Sequence, residues 1–160
     1  MENDADRETS LKFAQTHKEN LEHIRKNLEK NFLLSIKQKD ILEFLLDFLI
    51  LDNSLENLYE IEIQNPHRYL NEKKITFIIT NKTKQKFKAI IEKFKHIKIE
   101  TVADKLKLTT TSDTFTHKLR NEAYLAMVIA IFQVKLKEKL VDEITVLFNT
   151  IFEEYKKRKN

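Results

Sequence analysis

The chain has 160 residues, 41% hydrophobic and 34% charged, which is enough for one folded domain and fits neither a disordered segment nor a membrane bundle. It has no cysteine, so disulfides and thiolate metal sites are excluded. It also has no glycine and one proline, Pro66, so the glycine-dependent phosphate loops, dinucleotide fingerprints and nucleophile elbows are excluded too. The overall charge of +4 hides an asymmetry: residues 1–72 hold nine Lys/Arg against fifteen Asp/Glu, and residues 73–160 hold twenty against ten. Within 73–120 the count is thirteen against four, a density that attracts phosphates. The polar, acidic start Met1–Asp6 has no basic and apolar leader pattern, and a cytoplasmic setting is expected.

In chain order, Leu21, Ile24, Leu28 and Phe32 recur at helical spacing, with Leu11, Phe13 and Ala14 upstream, and predict a helix over about Thr9–Leu34. Residues 1–10 are expected to be largely flexible. Ser35-Ile36-Lys37-Gln38 fits a capping box opening a second, strongly apolar helix that runs to about Leu51. Leu58–Ile63 alternates, and Ile75–Thr80 is β-branched, so the two are expected to pair as a long-looped hairpin across Pro66. A helix follows, with Phe87, Ile90, Ile91 and Phe94 on one face and Lys82, Lys84, Lys86, Lys88, Lys93 and Lys95 beside it.

Residues 97–111 read either as a second hairpin or as a short helix from Thr101, with the helix slightly favoured. From Asp113 the apolar residues step by three or four to Tyr155. Unbroken, that helix would be about 60 Å long. It is therefore expected either to break around Gln133–Lys139 or to project and pair with a second copy. A basic tail, 156–160, ends the chain. The fold class expected is α+β, predominantly helical, in one domain: two N-terminal helices, a small hairpin, a basic amphipathic helix and a long C-terminal helix.

No constellation for catalysis stands out. His17, His23, His67, His96 and His117 are never three or four apart, so helical metal sites have no support, and His17 and His23 read as solvated. Asp40, Glu43 and Asp47 share a helix flank and read as solubilising carboxylates. No metal, cofactor or enzymatic activity is expected.

Thr101–Leu108, a polar turn and Asp113–Asn121 with Phe115 and Leu119 resemble a helix-turn-helix. That resemblance implies that Thr116, His117, Lys118 and Arg120 face base edges. Ile75–Thr80, Lys82–Lys95 and Thr101–Leu108 alternatively resemble ribbon-helix-helix repressors, and the two resemblances compete for the same residues. The expectation is a non-enzymatic DNA-binding regulator or accessory factor, with Lys82, Lys84, Lys86, Lys88 and Lys93 on phosphates. A homodimer through the C-terminal helix would fit it. The alternative is a helical protein-interaction module using Phe44–Leu51 or Ala123–Val134.

Overall fold

The computed structural model describes residues 7–61, 68–106 and 113–158, and their side chains except at 59–60, 94–106, 113–120 and 154–158. Strand β1 (Glu8–Ala14) leads into helix α1 (Gln15–Phe32), and a 3₁₀ turn (Gln38–Asp40) into α2 (Ile41–Leu51). A second 3₁₀ segment (Ser54–Glu60) and the short α3 (Arg68–Asn71) precede β2 (Lys74–Thr80). Then come α4 (Asn81–Leu106), α5 (Asp113–Glu138) and α6 (Val141–Arg158). The fold is α+β and mostly helical, as the periodicities imply.

The sheet differs from the expected hairpin. β2 pairs antiparallel with β1, from Glu8 opposite Thr80 to Ala14 opposite Lys74. Residues 54–60, which include the start of the expected strand, are a 3₁₀ segment, and 62–67 lie outside the described residues. The strand 8–14 also replaces the start of the helix expected from Thr9 and the last residues of the flexible lead-in expected over 1–10, of which 1–6 lie outside the described residues. Its physical signature is period two: Thr9, Leu11 and Phe13 turn inward while Glu8, Ser10 and Lys12 are exposed. Because β2 already has a partner strand in its own chain, the intermolecular ribbon of the second resemblance is not needed here. The unbroken course of α4 through Leu106 also removes the helix–helix turn that resemblance requires.

Helix α1 buries His17, Leu21, Ile24 and Leu28. Its N-terminus has no local side-chain cap. Instead the Glu72 carboxylate accepts the Thr16 N–H at 3.1 Å and the Thr16 hydroxyl, and Gln15 N–H donates to the Lys73 carbonyl at 3.0 Å. A carboxylate at a helix N-terminus also opposes the helix dipole favourably. The helix ends at Leu33, held in the left-handed region at φ 56° with Leu34 N–H bonding back to the Leu28 carbonyl. Gly usually fills that position, and Leu33 carries about 1 kcal/mol of strain there. Its side chain is 88% exposed.

Helix α2 is the core of the molecule. Leu42, Phe44, Leu45, Leu46, Phe48 and Leu49 are all essentially inaccessible, and the helix packs against α4, α5 and α6. The Ser35–Gln38 capping box is not formed, since α2 opens three residues later, after the 3₁₀ turn. Residues Ala123–Phe132 of α5 are buried apart from the half-buried Ala130, all but Ala126 in the same core, so most of both apolar segments offered as partner surfaces is absorbed within the fold.

The long C-terminal helix breaks at Lys139–Leu140, at the edge of the expected region. Lys139 Nζ holds Asp52 Oδ1 at 2.8 Å and Glu143 Oε1 at 2.8 Å, fixing the corner to the end of α2. Asp52, and then Glu143, push the Lys139 ammonium up to about 12. Helix α6 folds back against α2 with Ile144, Phe148 and Ile151 buried, so no helix needs to project. Its outward face carries Thr145, Val146, Asn149, Thr150 and Glu153, a largely polar set.

Candidate nucleic-acid interface

Helix α4 starts directly after β2, where the side-chain hydroxyl of Thr80 accepts the Thr83 N–H at 3.2 Å. Its described core stripe is Thr83, Phe87, Ile90 and Ile91. At 100° per residue that stripe divides the five expected phosphate-binding lysines. Lys82, Lys86 and Lys93 fall on one flank, and Lys84 and Lys88 on the other.

The first flank faces carboxylates of the acidic half. Lys86 Nζ lies 2.6 Å from Asp47 Oδ1 and 3.4 Å from Glu43 Oε2, and the Glu43 side chain is only 1% exposed. Glu43 is therefore a buried counter-ion and not a solubilising group, which corrects the reading of that helix flank. Lys93 pairs with Glu56 at 3.2 Å, both well exposed, so this pair contributes less than about 1 kcal/mol. Lys86 thus belongs to the tertiary structure and Lys93 is partly neutralised. Lys82, Lys84 and Lys88 have no ion pair among the described residues, and Lys88 is exposed.

The residues expected on base edges, Thr116, His117, Lys118 and Arg120, lie in the first turns of α5, and their side chains fall outside the described residues. Residues 97–106 are helical, as favoured, but they continue α4 and do not form a separate helix. Residues 107–112, the turn of the helix-turn-helix resemblance, lie outside the described residues.

A second cluster was not visible in the sequence. Glu122 of α5, 4% exposed at its side chain, accepts the Lys74 ammonium at 2.9 Å and the Ala14 N–H at 3.2 and 3.3 Å. His17 Nε2 lies 2.8 Å from its other oxygen, a close electrostatic approach whose angle is poor for a hydrogen bond. Lys74 also donates to the Tyr69 carbonyl, and the Tyr69 and His17 rings lie 4.5 Å apart. Burial alone would raise the Glu122 carboxyl. Its interactions with His17 and Lys74 outweigh burial and hold the group below its ordinary value.

His17 is therefore buried, not solvated, because it fills the core position between Ala14 and Leu21 on α1. Its sequence signal was present: Ala14, His17, Leu21, Ile24 and Leu28 step three and four, once a histidine is admitted to the stripe. Glu122 and His17 are buried and Lys74 reaches them from the surface, so the cluster ties β1, α1, α3, β2 and α5 together.

No group of three or more ionisable side chains is arranged to hold a metal among the described residues. Among them no helix is long and apolar enough to cross a membrane. No protein-family model, no curated protein and no solved structure matches this chain.

Proposed function

We propose that the protein is a non-enzymatic DNA-binding factor whose phosphate-binding surface runs along the Lys84–Lys88 flank of α4. The observation that carries this reading is that these two lysines have no ion pair among the described residues, in a half of the chain with a net charge of +10 from twenty basic and ten acidic residues. Lys82 adds to the same helix start. Lys86 and Lys93 drop out as primary phosphate ligands because their charges meet Asp47, Glu43 and Glu56. Thr116, His117, Lys118 and Arg120 remain the proposed base readers.

The test is a mobility shift with random duplex over a range of salt. Affinity falls steeply as salt rises, and Lys84→Ala with Lys88→Ala lowers the log–log slope by about 1.8, or about 0.9 for each phosphate that is no longer neutralised. Lys86→Ala leaves the slope unchanged and lowers stability. A flat salt response, or a slope indifferent to Lys84 and Lys88, defeats the reading.

A second reading, self-association as a helical interaction module, is favoured by one observation. The Asp52–Lys139 ion pair joins two apolar, solvent-exposed segments, Ile50–Leu51 and Leu140–Val141. A second copy of the chain is the occupant, because a patch of this kind can meet its own image across a two-fold axis. Sedimentation equilibrium then gives a dimer that Leu140→Asp converts to monomer, whereas a monomeric wild-type protein removes this reading.

A further inference from the structure

We infer that the groove between α1 and the C-terminal half of α5 is a binding site for a purine mononucleotide. The groove has a volume of about 530 Å³, within the range of small-molecule sites. The half-buried Phe32 and Leu136 supply its apolar surface, over the buried Ile24, and no carboxylate lines it. Asn27, Asn31 and Gln133 line it as well, and none of the three has a hydrogen-bond partner among the described residues.

A carboxamide presents a donor beside an acceptor, the pattern that matches the edge of a purine, as in the pairing of Asn or Gln with adenine. An aromatic ring such as Phe32 offers a face on which a base can stack. Lys137 and His23 line the same groove, and Lys137 has no ion pair among the described residues, so a cation is available for a phosphate. Apolar surface, paired donors and acceptors, and a cation with no carboxylate in the groove match the face and the edge of a base and a phosphate. A fatty acid would leave the amides unmatched, and an inorganic anion would leave the apolar surface bare. The site is independent of the α4 lysines, so it stands or falls separately from DNA binding.

The experiment is isothermal titration calorimetry of the full chain with AMP and GMP, against adenosine and inorganic phosphate. At least one of the two nucleotides binds with a Kd below about 1 mM. Adenosine and phosphate each bind at least about tenfold more weakly, a difference of about 1.4 kcal/mol. Asn27→Ala with Asn31→Ala, at exposed positions whose folding is checked by circular dichroism, weakens the nucleotide by about tenfold or more, and Lys137→Ala weakens it but not adenosine. Absence of binding by both nucleotides, phosphate binding as tightly as AMP, or an unaltered affinity in the double amide variant overturns the assignment.

Discussion

Glu122→Ala is expected to destabilise the fold by about 1–3 kcal/mol, because it leaves the buried Ala14 N–H without its acceptor and the partly exposed Lys74 ammonium without its counter-ion. The stranded groups are the Lys74 ammonium and the Ala14 N–H, both of which point at the missing carboxylate. Urea unfolding at neutral pH measures the loss, and a change below about 1 kcal/mol would show that water replaces the carboxylate freely. Glu122→Met combined with Lys74→Met should recover only part of the loss, since the buried Ala14 N–H still lacks an acceptor. The pH dependence has a definite sign. The folded carboxyl is held below its ordinary value of 4.5, so its contribution is complete above that value and fades as the pH falls through the folded one. The gap in stability between wild type and Glu122→Gln should therefore narrow in acid.

Phe148→Ala should cost more, about 3–5 kcal/mol, for a different reason. Phe148 is the anchor of α6. Its ring centroid lies 5.3 Å from those of Phe32, Phe44 and Phe48 alike, so truncation opens a void shared by α1, α2 and α6. Those neighbours sit on packed helices and cannot all collapse inward, which places the loss toward the upper end of such substitutions. Calorimetry should show a fall of about 10 °C in Tm. Hydrogen exchange should show whether the α6 amides lose protection first, as expected for a helix docked by one face. A Tm within about 2 °C of wild type would mean that α6 contributes little to the core.

Much of the helical framework was legible because its apolar periods are local. α2, β2 and the starts of α4 and α5 all follow from residues within one or two turns of each other, whereas the periodicity alone left open whether the C-terminal helix breaks or projects. The errors have a common physical origin in partners far away along the chain. β1 looked like helix because Leu11, Phe13 and Ala14 also fit a helical stripe, and only its pairing with β2 selects the extended form. The α1 cap is supplied by Glu72, fifty-six positions from Thr16, and local motifs cannot reveal it. Charge was legible as a total and illegible as an arrangement. The run of lysines was plain, but the counter-ions of Lys86 and Lys93 lie 37 to 43 positions earlier.

The order in which the two strands emerge from a ribosome differs from the order in which they become stable. β1 precedes its partner by 60 residues at Ala14–Lys74 and by 72 at Glu8–Thr80. At ordinary synthesis rates the segment waits about 3–14 s without the partner that selects its extended form. Whenever it visits that form it is a template for mispairing with neighbouring nascent chains, and a charged side chain along it discourages that. Glu8 and Lys12, on the side that stays outward after folding, place one charge of each sign along the segment, so the same alternation that suits the finished sheet also guards the unfinished one.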